Sequence, residues 1–225
     1  LYDAHMAAMA QRCGVEVVLV GDSLGMTVLG YDSTIPVTME HMIYHVEAVA
    51  RGNKKSLIMG DLPFMTYATP EDALRNCARI MQAGAHMVKL EGGEWLAETV
   101  RMLSDRGIPV CAHIGLTPQS VNKFGGFRVQ GRDQTQADKL LADAKLLAEA
   151  GADLLLMECM PAALAAQITR EIPIPTIGIG AGRDTDAQVL VINDILGLTE
   201  QPPKFSKNFL LETNDIPGAM QKYVA

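Results

Sequence analysis

Seven short apolar runs, each closing on a polar residue or a glycine, constrain this chain more than any other feature of its sequence. They are Val15–Asp22, Leu57–Asp61, Met87–Glu91, Val110–His113, Leu154–Glu158, Thr176–Gly180 and Val189–Asp194. An apolar stretch of strand length reads as a strand buried on both faces, the mark of a parallel sheet covered by helices. In such sheets the carboxyl ends of the strands carry the chemistry. The endings Asp22, Asp61, Glu91, His113 and Glu158 are therefore the first candidates for holding a metal or moving a proton.

Helical segments separate the runs, and their ends follow the usual rules. Thr69-Pro70-Glu71-Asp72 supplies a cap, a proline for the first turn and acids for the helix dipole, ahead of a helix running to Ala83 and stopping at Gly84. Further helices are expected over Ala4–Arg12, from Thr38 to Arg51, and over Glu94–Asp105, Gln136–Ala150 and Pro161–Glu171. Ala83-Gly84-Ala85 and Ala150-Gly151-Ala152 lead into their strands at the same offset, so the repeating unit is helix, glycine cap, strand, acid. Strict alternation leaves two architectures, an open doubly wound sheet and a closed (β/α)8 barrel. No Gly-x-Gly-x-x-Gly turn opens a helix after the first run, which removes the main reason to choose a dinucleotide fold. The expectation is a single (β/α)8 barrel domain over residues 1–225, with its first strand largely missing ahead of Leu1.

At 225 residues and 48% hydrophobic, the chain is long enough for one large core. A net charge of −7 argues against a general nucleic-acid or anionic-membrane partner, leaving room only for a local basic pocket. The runs are far shorter than the ~20 residues that span a bilayer, and a cytoplasmic protein is expected. Cys13, Cys77, Cys111 and Cys159 are widely spaced and read as reduced thiols rather than a disulfide framework. The thirteen methionines sit at apolar positions and read as core filler.

Alternation along a strand puts Met59 with Asp61, Lys89 with Glu91, Cys111 with His113 and Leu156 with Glu158. If those faces point into a barrel, several carboxylates meet at one mouth. They cannot share it ionised without a cation, because like charges raise one another's pKa. Oxygen ligands without a clustered His/Cys set suit Mg²⁺. Each residue also has a plainer reading: Asp22 and Asp61 as loop caps, Lys89 as a structural partner of Glu91, His113 as a core histidine. Glu158 closes a strongly apolar run, where a carboxylate is costly, and favours a functional reading. Ile177-Gly178-Ile179-Gly180-Ala181-Gly182 could cradle a phosphate or permit close packing against a ligand. The stretches Ser23–Pro36 and Gly115–Gln134 exceed ordinary strand-to-helix connections and fit loops that close over a ligand.

Taken in order, Gly21-Asp22-Ser23-Leu24-Gly25-Met26, Asp61-Leu62-Pro63-Phe64-Met65, Val88-Lys89-Leu90-Glu91-Gly92-Gly93, His113-Ile114-Gly115-Leu116-Thr117-Pro118-Gln119, Glu158-Cys159 and Gly178-Ile179-Gly180-Ala181-Gly182 resemble ketopantoate hydroxymethyltransferase, a likeness that extends to Lys204-Phe205-Ser206-Lys207-Asn208-Phe209. The resemblance implies a barrel of the phosphoenolpyruvate/pyruvate type, Mg²⁺ dependence and transfer of a hydroxymethyl group from 5,10-methylenetetrahydrofolate to 3-methyl-2-oxobutanoate. The product would be 2-dehydropantoate, in pantothenate biosynthesis. It also implies a homo-oligomer, commonly a decamer. By the same carry-over Asp22 and Asp61 hold the metal, with Glu91 beside it directly or through water. Ser23, Lys89 and His113 would join Asp22 and Asp61 in binding the keto acid, and Glu158 would be the catalytic base. Asn193 and the Gly178–Gly182 loop are secondary candidates for orienting ligands. A carbon–carbon lyase of the same superfamily, or a barrel serving as a binding scaffold, are the alternative readings.

Overall fold

The computed structural model describes residues 1–225. In chain order the elements are α1 (Ala4–Arg12), β1 (Val17–Val20), α2 (Leu24–Thr27), α3 (Met39–Gly52), β2 (Leu57–Asp61), α4 (Pro70–Gln82), β3 (Met87–Glu91), α5 (Ala97–Ser104), β4 (Val110–Gly115), α6 (Val121–Phe124), α7 (Gln134–Glu149), β5 (Leu154–Glu158), α8 (Ala162–Glu171), β6 (Thr176–Ile179), β7 (Ala187–Gln188), α9 (Ile192–Ile195) and α10 (Ile216–Val224). The chain is α/β, with its strand order following its chain order. No helix is long and apolar enough to cross a membrane.

Two compact units make up the chain. The first comprises Leu1–Pro63, Arg79–Met87 and Leu190–Ala225. Here β1 and β2 pair in parallel with Val20 opposite Gly60. Helix α1 begins where the Asp3 side chain accepts from the Met6 amide, and α3 where Thr38 and His41 cap one another reciprocally. Met42, Val46 and Val49 on one face of α3 are fully buried, as are Ile58 and Met59 of β2. Burying a side chain of this size contributes roughly 1.5 to 3 kcal/mol, so this single stripe holds the helix to its sheet.

Phe64–Ala78 and Val88–Val189 form the second unit. Strands β3, β4, β5, β6 and β7 pair successively in parallel. The registers set Glu91 opposite His113, and Gly115 opposite Glu158. Every residue of β3 and β4 is buried, as expected for strands covered on both faces. Helix α7 starts two residues earlier than the apolar periodicity suggests, because Asp133 caps it through the Gln136 amide at 2.9 Å.

One expected strand is corrected. The run Val189–Asp194 does not form the last strand: β7 is Ala187–Gln188, and Ile192–Ile195 is the helix α9. Pairing decides the shift, since Gln188 lies opposite Gly178 and the Val189 amide donates to the Gly178 carbonyl, ending the ladder there. Residues 94–105 also divide, into a 3₁₀ turn at Glu94–Leu96 followed by α5.

Candidate functional site

In the first unit the two aspartates are brought together by the pairing of β1 and β2. Asp61 ends β2, and Asp22 sits two residues past the end of β1. Both are buried, at 3% and 1% exposure for Asp22 and Asp61. The Asp22 amide donates to Asp61 Oδ2 at 3.3 Å, and carboxylate oxygens of the two lie within 4.8 Å of each other. Two buried carboxylates at such spacing demand positive charge or a shared proton. Ser23 follows at the start of α2, and its hydroxyl meets the Tyr2 hydroxyl at 2.9 Å. Asn193, in α9, belongs to this unit as well.

Across the strand ends of the second unit runs a line of charged and ionisable groups. Lys89 Nζ lies 3.4 Å from Glu91 Oε1. The same oxygen faces His113 Nδ1 at 3.4 Å, and His113 Nε2 faces Glu158 Oε2 at 3.4 Å. Lys89, Glu91 and His113 are buried, while the Glu158 side chain keeps 16% of its surface. The other Glu91 oxygen accepts from the Gln119 amide at 3.0 Å, and the Tyr67 hydroxyl donates to the Glu91 carbonyl at 3.3 Å. Lys89 is thus a close, buried partner of Glu91.

Electrostatics follow from this line. Burial alone would push the Glu91 carboxyl up, but the Lys89 ammonium, His113 and the Gln119 amide outweigh it and hold the group below its usual range. Burial and Lys89 would lower His113, yet Glu158 and Glu91 on its two nitrogens hold it above its ordinary value. His113 is therefore a histidine clamped between two carboxylates rather than one packed in an apolar core.

Glu158 owes its position to backbone geometry. Gly115 has φ +92°, and a Cβ there would meet the Glu158 carbonyl oxygen at 2.3 Å, so only glycine lets the end of β4 approach β5 this closely. The Leu116 amide then donates to that carbonyl at 2.9 Å. Cys159, next in the chain, is held at φ +45°, a strained setting for a residue with a side chain. The sequence reading placed Glu158 in apolar surroundings. The structure sets it against His113 instead.

A cleft of about 620 Å³ opens beside Glu91, lined by Trp95, Thr117, Ser120, Lys123 and Phe124 among others. Trp95, which the sequence reading passed over, is 60% exposed and stacks on Tyr67 with ring centroids 6.0 Å apart. Its signal was a lone tryptophan two residues past the glycine pair that follows the third apolar run. The Gly178–Gly182 segment is used for packing: a Cβ on Gly178 would meet the Thr185 hydroxyl at 2.6 Å, and one on Gly182 would meet Ala162 at 2.5 Å.

The sequence profile of one family, described as ketopantoate hydroxymethyltransferase, matches residues 1–225. The 3-methyl-2-oxobutanoate hydroxymethyltransferase of Saccharophagus degradans is 76% identical over 225 residues, covering 100% of this chain and 83% of that relative. The protein of the same name from Marinobacter nauticus is 59% identical over 223 residues, 99% of this chain and 84% of the relative. Among solved structures, phosphoenolpyruvate phosphomutase of Streptomyces platensis subsp. rosaceus superposes with a TM-score of 0.65 at 14% identity, over 88% of this chain and 75% of that one. A 2,3-dimethylmalate lyase of the PEP mutase/isocitrate lyase superfamily does so with a TM-score of 0.58 at 16% identity, over 79% of this chain and 64% of that one. At these identities the structural likeness speaks for the fold, which is the parallel (β/α)-barrel type of that superfamily.

Proposed function

The chain belongs to the ketopantoate hydroxymethyltransferase family, and from that membership we propose that it transfers a hydroxymethyl group from 5,10-methylenetetrahydrofolate to 3-methyl-2-oxobutanoate, giving 2-dehydropantoate for pantothenate biosynthesis. Balance requires that C3 of the keto acid lose a proton and bond to the methylene carbon, that the bonds from this carbon to the folate nitrogens break, and that one water supply the hydroxyl oxygen. The observation that carries the chemistry is the line Lys89, Glu91, His113, Glu158, each step 3.4 Å, running from a buried cation to a half-buried carboxylate.

In this reading Asp22 and Asp61 hold Mg²⁺, with Glu91 beside it directly or through water. Buried acidic oxygens suit that ion and call for its charge. Bound Mg²⁺ supplies Lewis-acid polarisation of the keto oxygen, an effect worth several kcal/mol. Ser23 and Lys89 orient the keto acid, and the Lys89 ammonium offsets the charge that reaches the keto oxygen when C3 is deprotonated. His113 Nε2 faces Glu158 Oε2 at 3.4 Å, and Glu158 takes the proton from C3. Gln119 and Tyr67 hold Glu91 from behind, keeping the line in register. Assembly as a homo-oligomer, a decamer by the family resemblance, belongs to the same proposal and is read by light scattering.

Isotope exchange tests the reading. In D₂O with Mg²⁺ and 3-methyl-2-oxobutanoate, the protein should exchange the C3 hydrogen without folate. Glu158→Gln keeps the shape and removes the basicity, so exchange should fall by roughly 10² to 10⁴-fold while the keto acid still binds. Equal exchange rates by NMR would move the base to another residue.

A further inference from the structure

Ser23 stands where a serine ordinarily caps a helix, immediately ahead of α2, yet its hydroxyl makes no capping bond. Its backbone is already helical, at φ −52° and ψ −19°, which leaves the side chain free for other work. Two contacts fix where that hydroxyl sits. On one side is Gly21, where a Cβ would stand 3.0 Å from Ser23 Oγ, so a larger residue there would crowd the hydroxyl. On the other is the Tyr2 hydroxyl, at 2.9 Å.

Tyr2 is itself firmly held. It is 5% exposed, its carbonyl accepts from His45 Nδ1 of α3 at 2.7 Å, and the Leu1 nitrogen before it donates to the Leu19 carbonyl of β1 at 3.0 Å. A phenol on such a backbone is a fixed point against which a rotating serine hydroxyl can be set. Burial pushes the phenol above its ordinary value, so it keeps its hydrogen at neutral pH.

Counting hydrogens gives the direction of the bond when a keto acid is present, because each hydroxyl has one to give. The Thr27 hydroxyl, which also neighbours the phenol, spends its hydrogen on the Ser23 carbonyl at 3.0 Å. Asp194, whose charge reaches the phenol, is occupied by the Thr199 hydroxyl at 2.6 Å and the Ser206 hydroxyl at 3.1 Å. An ionised keto acid offers oxygens that only accept. Ser23 must therefore donate to it, and the Ser23 oxygen is then open to the Tyr2 hydrogen.

We propose that Tyr2 is a positioning residue for the keto acid: its hydroxyl donates to Ser23 Oγ and thereby aims the Ser23 hydrogen at the substrate. The proposal rests on the transferase reading above, in which Ser23 orients the keto acid. In this role Tyr2 acts only through Ser23.

The experiment follows C3 exchange of 3-methyl-2-oxobutanoate in D₂O with Mg²⁺ over a series of keto-acid concentrations. Tyr2→Phe keeps the buried ring and removes only the hydroxyl. Losing one hydrogen bond predicts a KM raised roughly three- to tenfold. Because Ser23 holds the keto acid before and after proton removal alike, kcat should stay within about twofold of the parent value. A purely structural role would lower Tm and the amount of active protein while leaving KM unmoved. Ser23→Ala should raise KM at least as much, and adding Tyr2→Phe to it should change nothing further, as expected of two residues acting as one unit. An unchanged KM in Tyr2→Phe, a fall confined to kcat, or independent, multiplying effects in the double variant would each overturn the proposal while leaving the transferase standing. Should Tyr2→Phe not fold, Ser23→Ala decides: a raised KM there sustains the proposal and a parental KM overturns it. Absence of both C3 exchange and product in the parent protein would overturn the transferase reading and the proposal with it.

Discussion

Lys89→Met is the sharpest test of the charge line, because it removes the ammonium and keeps most of the volume. Lys89 and Glu91 are each 4% exposed, with nitrogen and oxygen 3.4 Å apart. Breaking such a pair strands a buried carboxylate and typically costs about 3 to 5 kcal/mol. Here Glu91 keeps the Gln119 amide and His113, so the lower end, about 3 kcal/mol, is expected, which for a chain of this size lowers Tm by roughly 6 to 12 °C. The dependence on pH fixes the cause. In the parent protein Glu91 is held below its ordinary 4.5, so its contribution is present above that value and fades only as pH falls through the lower, folded-state value. Without Lys89 the largest lowering influence is gone and burial dominates, so the folded-state pKa rises above the unfolded one. The variant's deficit should then be greatest at neutral pH and shrink as pH drops toward 4, where the carboxyl protonates. Urea unfolding of both proteins at pH 7, 5.5 and 4, with a chelator to keep Mg²⁺ away, reads this directly. Equal stability at pH 7, or a deficit that does not change with pH, would refute the assignment of Lys89 as the charge that keeps Glu91 ionised.

Asp22→Asn and Asp61→Asn should each weaken Mg²⁺-dependent binding of 3-methyl-2-oxobutanoate at least tenfold by calorimetry, about 1.4 kcal/mol, and unchanged binding in both would remove the metal assignment. Gly115→Ala, forced into a left-handed backbone and against the Glu158 carbonyl, should cost roughly 1 to 3 kcal/mol in strain and lower C3 exchange, whereas wild-type denaturation and exchange would show that the approach of β4 to β5 is not needed. The thiols of Cys77 and Cys159 are pushed up by burial to about 12 and about 11, the latter helped by Glu158. At pH 8 the native Cys159 should react with iodoacetamide about a hundredfold more slowly than an ordinary thiol, recovering as pH rises toward 11, and a full rate at pH 8 would contradict its setting.

Much of this protein could be read before any fold was known, because two local codes agree. Caps such as Thr69 and Thr38 start their helices where the side chain meets the backbone amide three residues on, a contact within one turn that needs no tertiary context. Apolar runs closing on Asp61, Glu91 and Glu158 marked strands that end on carboxylates. The apolar run Val189–Asp194 misled for the complementary reason. Ile192 and Ile195 are buried in either a strand or a short helix, so composition cannot choose. The hydrogen bonds to Gly178 made that choice.

The order of residues along the chain is enough to dictate the alternation of elements, the parallel class and the set of residues able to do chemistry. Which groups face which is settled by the packing of the folded chain. Register put His113 between Glu91 and Glu158, turning a histidine of ambiguous role into a clamp on two carboxylates. It also stacked Trp95 on Tyr67, 28 residues apart in the chain, to wall a cleft that no single run announces. The physical reason is range: caps and periodicity act over a few residues and are written locally, whereas a pKa, a clamp or a cleft arises from groups that the chain brings together only by pairing its strands.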